Sequence, residues 1–423
     1  MNSPPSTERG AVLIMAAVCL FALVAFSAIV VDYGILWSAR GQAQTSADAG
    51  ALAGAIAIGK GATEDLSRDT ASIVARENAV WGVQTATGDV IVSDLPFPCP
   101  ASAGGGTEGC IRVDVMRGAP DATNAAHTNV LPIFFASMLG IAQQGVRATA
   151  TAQVAAGNSV KCIKPWAVAD KWEDNSGTGT NLTGWDQEDS FDPGVDVYVT
   201  STSSTTTGFT IAANKGLQLA LKGDHGGWLA GWSNEIQFPG ASGSADYLAA
   251  ILGCPDFVPE VGFYAGQPCD RMEDEDPARG CLRVKQGVSQ GPTTKHGVDV
   301  LIAADQDAEW DTGTNTIVNS DFADESPRVV PIPLFDPADF IVNQSASCSG
   351  AGCVIKVVNV MGFFLEGTCD DVAARGELET YTKCEDPSKD VVGRLMGYVG
   401  TRVGTAGNVP IGNAFILVFR LVR

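Results

Sequence analysis

"RGAVLIMAAVCLFALVAFSAIVVDYG" (residues 9–34) is the stretch on which the fold turns. Positions 10–31 hold 22 residues without a charge. At the helical rise this is about 33 Å, enough to cross a hydrocarbon core about 30 Å thick. A cleavable signal has a shorter apolar core, about 7–15 residues, followed by a small-residue cleavage motif. "SAIVVDYG" (27–34) offers no such motif. A lipid-modified cysteine at Cys19 would want a small residue before it, but Val18 stands there and twelve more uncharged residues follow. The run therefore reads as a transmembrane anchor over 10–31, with Cys19 buried in it and residues 1–9 as a cytoplasmic tail.

The rest of the chain belongs outside the cytoplasm. Ten of the eleven cysteines lie beyond the run. Cys99/Cys110, Cys348/Cys353 and Cys369/Cys384 are close pairs, while Cys162, Cys254, Cys269 and Cys281 have no evident pairing. An even number at short separations in Gly-, Pro- and Asp-rich loops reads as disulfides in an oxidising compartment. Zinc is disfavoured, because there is no C-x-x-C pair and no histidine at ligand spacing. With 423 residues, two or three domains are expected, and 45% hydrophobic content can fill real cores. A net charge of −21 disfavours nucleic acid and anionic membrane surfaces as partners.

Past the membrane the helical pattern continues through "SARGQAQTSADAGALAGAIAIGKG" (38–61), to about Gly59. Ala43, Ala47, Ala51 and Ala55 recur at a spacing of four, a stripe of small residues where a second helix or a sheet can approach closely. A second helix is expected in "EDLSRDTASIVARENAVWG" (64–82). Strands are expected in "GDVIVSD" (88–94), "CIRVDVMRG" (110–118) and "GVRATATAQVAAG" (145–157), and a short apolar helix in "NVLPIFFASMLGI" (129–141). Residues 32–156 thus read as a membrane-rooted, pilin-like helix with a small antiparallel sheet.

Here the order of motifs resembles TadE/TadG-like proteins of Flp pilus (tight adherence) assembly. That family shows an Arg-Gly start, an apolar run, an Asp near the far membrane face and a Gln-x-x-x-Asp-Ala-x-Ala-Leu-Ala ending. Arg9, Gly10, Asp32, Gln44, Asp48, Ala49, Ala51, Leu52 and Ala53 fall on this pattern. The resemblance is specific over the first third of the chain. It implies a bacterial envelope protein anchored in the inner membrane, working through contacts with other pilus-assembly or pilin-like proteins. Prepilin peptidases of that system cut after a glycine, with a glutamate five residues into the mature chain. Met15 holds that fifth place after Gly10, so the run is expected to stay uncut. The von Willebrand A metal motif of some TadG-like proteins, D-x-S-x-S, does not occur.

Residues 157–423 read as a mainly β, disulfide-stapled domain, making the whole chain α+β. A Gly-, Ser- and Thr-rich segment over about 173–208 reads as flexible, with one strand in "VDVYVTS" (195–201). Further strands are expected in "KCIKPWAVAD" (161–170), "GLQLALKGDHGGWLAGW" (216–232), "HGVDVLIAAD" (296–305), "RVVPIPLFD" (328–336), "CVIKVVNVMGFFLEG" (353–367), "VVGRLMGYVG" (391–400) and "AFILVFRLVR" (414–423). Several are apolar on both faces, which implies burial between layers. The last fits a central strand of its own domain, or a strand lent to a neighbour's sheet.

No nucleophile–base pair, histidine metal motif or phosphate loop emerges, so neither an enzyme, a small-molecule substrate nor an organic cofactor is expected. The best metal candidate is "DQDAEWDTG" (305–313), where Asp305, Asp307, Glu309 and Asp311 alternate after an expected strand. Calcium takes six to eight oxygens, which such a loop can supply. An EF-hand, however, would need Gly at Trp310 and Glu at Thr316. The alternative function on this basis is an anchored adhesin or calcium-dependent binding protein.

Overall fold

In a computed structural model, the described residues are 8–100, 106–118, 129–141, 143–175, 187, 189–221, 234–241, 243–255, 269, 280–284, 292–322, 325–344, 353–399, 402–403 and 409–422. The architecture is mixed α+β: a long apolar helix, then mostly sheet carrying several disulfides. The chain forms two units, Met1–Val154 with Phe419–Arg423, and Ala155–Val418.

In the first unit, α1 (Glu8–Gly59) is one unbroken helix. Its large apolar side chains are exposed from Val12 to Val31, and from Ile35 its small side chains become buried. The change falls at Asp32. Helix α2 (Glu64–Glu77) starts at the cap Thr63, whose hydroxyl accepts the Leu66 amide, and it packs back along α1. Strands β1 (Val90–Val92), β2 (Phe97–Cys99), β3 (Gly106–Arg117) and β4 (Val146–Ser159) follow. β3 pairs antiparallel with the other three, and Val113 stands opposite Ala150. Period-two alternation buries Ala148, Ala150, Ala152 and Val154. Cys99 and Cys110 are bonded. The carboxyl-terminal strand ends in this unit: Arg420 donates to Gln153 Oε1 at 2.9 and 3.1 Å, and Val422 is buried against the Cys99–Cys110 bridge. That end of the chain is occupied within its own molecule.

The second unit is built on β5 (Trp166–Ala169), β6 (Gln218–Leu221), β7 (Asn234–Glu235), helix α3 (Gly243–Leu252), β8 (Cys281–Val284) and helix α4 (Pro292–Ala303). Then come the hairpin β9 (Glu309–Asp311)/β10 (Thr316–Val318), β11 (Val329–Phe335), α5 (Pro337–Gln344), β12 (Cys353–Thr368), α6 (Cys369–Arg375), β13 (Val391–Met396) and β14 (Ile416–Val422), whose last residues belong to the first unit. The sheet runs β6-β13-β12-β11-β5-β7, with β8 also beside β12. β5 and β11 are parallel, and the other pairs are antiparallel. All seven residues of β11 are buried. The two-faced apolar run is explained by two cores. One joins Ile251 of α3 and Val298 and Leu301 of α4 to Val330, Ile332 and Leu334. The other joins Phe340 of α5, Trp172 and Phe191 to Phe335, Ile355 and Val357.

Disulfides join Cys162 to Cys254, Cys269 to Cys281 and Cys369 to Cys384. Cys348 lies outside the described residues, and with it the Cys348–Cys353 pair. At the first of these bridges the buried Lys164 ammonium donates to the carbonyls of Ile251 and Gly253 at 2.6 and 2.8 Å, closing the end of α3.

Three elements differ from expectation. "HGVDVLIAAD" lies in helix α4 as far as Ala303, because Thr294, Gly297, Val298 and Leu301 are its buried residues, a helical spacing rather than an alternation. Gly297 lets Ile251 come close: a Cβ there would stand 2.6 Å from Ile251 Cγ2. "NVLPIFFASMLGI" is helical only over a 3-10 turn, Ala136–Leu139. Around it, Leu131 bridges to Gln144 and the amides of residues 134–136 are taken by Asp32. "VDVYVTS" forms no strand, only an isolated bridge from Val197 to Glu173. Within 173–208, the described residues include Phe191, edge-on to Trp172 at 5.7 Å, and Ser201, bonded to the Val358 carbonyl. Residues 176–186 and 188 lie outside the description.

Candidate functional site

Asp32, Gln44, Asp48 and Leu52 of the amino-terminal motif lie on the stretch of α1 just beyond its exposed run. Asp32 is 5% exposed, and its carboxylate accepts three backbone N–H groups: Phe134 at 2.9 Å on Oδ1, Phe135 at 2.9 Å and Ala136 at 2.5 Å on Oδ2. A carboxylate at the edge of an apolar run is costly unless hydrogen-bonded, and three amides at the start of a 3-10 turn satisfy it. Asp32 thereby pins the 131–141 loop to α1 across more than a hundred residues of sequence. Asp32→Asn leaves one acceptor oxygen and turns an amide N–H2 toward backbone donors. Hydrogen exchange should then show faster exchange at residues 134–136, with α2 protection unchanged.

About two turns past Trp37, Gln44 Nε2 donates to Asp48 Oδ1 at 2.8 Å and to the Thr149 carbonyl of β4 at 3.1 Å. This ties helix to sheet. Leu52 is half-buried, and Arg9 and Gly10 lie inside α1. Ala43, Ala47, Ala51 and Ala55 are fully buried. The stripe is thus occupied by the chain itself, since α2 and β3 are the main elements packed on α1.

Sequence reading missed the adjacent stripe Ser46-Gly50-Gly54. It meets Ser67, Ala71 and Ala75 of α2, all buried. Ser46 Oγ donates to the Ala75 carbonyl at 2.6 Å. A Cβ on Gly50 would lie 2.7 Å from both Ala71 O and Ala75 Cβ, and one on Gly54 2.6 Å from Ile111 Cδ1. The signal was present as small residues four apart on both helices, the pattern that lets backbones touch.

The acidic loop does not gather. Asp305 is buried, and Ser320 Oγ at 2.7 Å and the Asp321 amide at 3.3 Å already donate to its carboxylate. Burial raises its pKa, but the serine hydroxyls of Ser326 and Ser320, the Asp321 amide and the Arg328 charge outweigh this and hold it below the usual value. Asp307 and Glu309 are exposed, and Asp311 accepts from Gly313 N and Thr314 Oγ1 within the hairpin turn. Among the described residues no three His, Cys, Asp or Glu side chains are placed to hold a metal ion.

A second cluster was not singled out in the sequence. β5 and β11, parallel neighbours, are each followed directly by an aspartate, Asp170 and Asp336. Asp170 is fully buried and accepts from the amides of Lys171 and Phe209 and from the Tyr198 hydroxyl at 2.8–2.9 Å. Burial pushes its pKa up to about 7, with the Asp336 charge adding to the rise and the three donors opposing it. Burial raises Asp336 as well. The unfolded chain releases this proton near 3.8, so between about pH 4 and 7 the folded state binds more protons. Stability should therefore fall as pH rises through that window, by on the order of 4 kcal/mol. Urea unfolding at several pH values reads the slope, and Asp170→Asn should flatten it.

A long helix, exposed and apolar over its first half and sheathed by a second helix and a small sheet over its second, forms a stem whose first half is long and apolar enough to cross a membrane. Residues 10–57 match the family of Flp pilus-assembly TadE/G-like proteins. The match covers nearly the whole of α1 and supports involvement in Flp pilus assembly. No curated protein and no solved structure matches the chain. A cell-envelope membrane anchor fits both the family and the one candidate membrane helix among the described residues.

Proposed function

We propose that this protein is a non-enzymatic component of Flp pilus assembly, anchored in the inner membrane by residues 10–31 with its disulfide-bonded body outside the cytoplasm. The observation that carries this reading is the coincidence of the family match with residues that have mechanical tasks. Asp32 clamps a loop, Gln44 ties helix to sheet, and Gly50 and Gly54 admit α2. Asp32 stiffens the stem at its exit from the membrane and the others stiffen it further along, as expected for a part that transmits position and contact. The disulfides support an oxidising compartment for the body. Because the alanine stripe is used internally, its partners, other pilus-assembly or pilin-like proteins, meet exposed surfaces of the anchor and the body.

Deleting the protein should abolish pilus display and surface attachment, and re-expression of the intact chain should restore both. A deletion strain with normal pili would refute the assignment. Protease protection in spheroplasts tests the topology: the body should be cleaved from outside and the amino terminus should not.

A further inference from the structure

We propose that the 132–141 loop is a second membrane-embedded element, seated in the outer face of the bilayer beside the anchor and held there by Asp32. The inference rests on the anchor reading above. Its basis is depth. Asp32 is the first charge after the apolar run, so it marks where the helix leaves hydrocarbon. Its carboxylate binds the amides of Phe134, Phe135 and Ala136, which sets the loop at that height.

Phe134, Phe135 and Ile141 then point to lipid. Phe134 is 59% exposed, Phe135 39% and Ile141 48%, large apolar groups on a short segment. Phe135 lines one open groove with Leu20, Leu23, Val24, Ser27 and Val31, every one inside the apolar run. Whatever solvates those helix residues also solvates Phe135. If they face hydrocarbon, a water-exposed ring there would require water within the bilayer, so lipid is the occupant the geometry selects.

Two further observations set the same level. Tyr33 and Trp37 are 63% and 70% exposed, one turn apart with ring centroids 6.4 Å from each other, immediately past Asp32. Exposed Tyr and Trp at a helix exit are the usual markers of the headgroup layer. The charge of −21 opposes recruitment by anionic headgroups, so insertion is apolar in origin and should occur in neutral lipid.

The test uses the full chain in nanodiscs of phosphatidylcholine, with nitroxide labels read by collision with oxygen, which partitions into hydrocarbon, and with a water-soluble nickel chelate. Cys19, a free cysteine, reports the anchor. Phe135→Cys in a Cys19→Ala background reports the loop, and Phe134→Cys, at the more exposed site, repeats the reading should the first variant fold poorly. Leu66→Cys, on the exposed face of α2, reports water. The expected result is loss of nickel collisions and high oxygen collisions at 135 and 134, as at 19, with the reverse at 66. Nickel access at 135 and 134 while 19 remains in hydrocarbon would overturn the loop proposal and leave the anchor standing. Shielding of 135 and 134 from both reagents would overturn it in favour of a protein neighbour. Nickel access at 19 would refute the anchor reading, and the loop proposal with it.

Discussion

Substituting valine for Gly50 is expected to undock α2 from α1. The added Cβ would sit 2.7 Å from the Ala71 carbonyl oxygen and from Ala75 Cβ. Neither is the movable end of a long side chain, so the helices must separate. Separation also breaks the hydrogen bond from Ser46 to the Ala75 carbonyl. Overpacking against backbone costs on the order of 3 kcal/mol, the upper part of the usual range. Hydrogen exchange should show loss of protection across α2, and complementation with this variant should fail to restore pili. Gly41→Ala is the matched control: a Cβ there meets nothing within 4 Å. It should leave α2 docked and stabilise the helix by about 0.5–1 kcal/mol.

Replacing Arg394 with methionine should destabilise the second unit most. The guanidinium is 5% exposed and holds Glu366 and Glu379, each at 2.7 Å, as well as the Gly216 carbonyl at 3.1 Å. Glu366 is itself 7% exposed, and its second oxygen takes Gln218 Nε2 at 2.6 Å. Removing the cation leaves the buried Glu366 carboxylate without its hydrogen-bonded counter-charge, a change worth about 3–5 kcal/mol. Thermal unfolding should move well down. Adding Glu366→Gln to Arg394→Met should recover much of the loss, because the stranded charge is what costs stability. Equal stability of Arg394→Met and the native chain would mean that this pair contributes little to the fold.

Much of the first unit was legible in the sequence because its signals are local. An uncharged run of membrane length, an alternating strand such as β4 and a small-residue stripe each express one periodicity. The Cys99–Cys110 and Cys369–Cys384 bridges join near neighbours and needed no fold to be suggested. The second unit was legible in composition but not in every element. α4 resembled a strand because Val298 and Val300 flank Asp299, while its packing contacts follow three- and four-residue steps. The acidic alternation from Asp305 to Asp311 resembled a cation loop, yet burial separates Asp305 from the exposed members and commits it to Ser320 and Asp321.

Sequence by itself determined that this chain has a membrane-length helix, an α+β body suited to disulfides, and an amino-terminal order of residues resembling TadE/TadG-like proteins. Only the tertiary structure decided what those residues do. Asp32 reaches amides more than a hundred positions away, Cys162 finds Cys254, and Asp170 meets Asp336 because parallel strands end side by side. Hydrophobic periodicity is written along the chain, so it can be read there. The partner of a buried polar group is chosen by which backbone and side-chain atoms folding brings within about 3 Å, and that choice has no local signature.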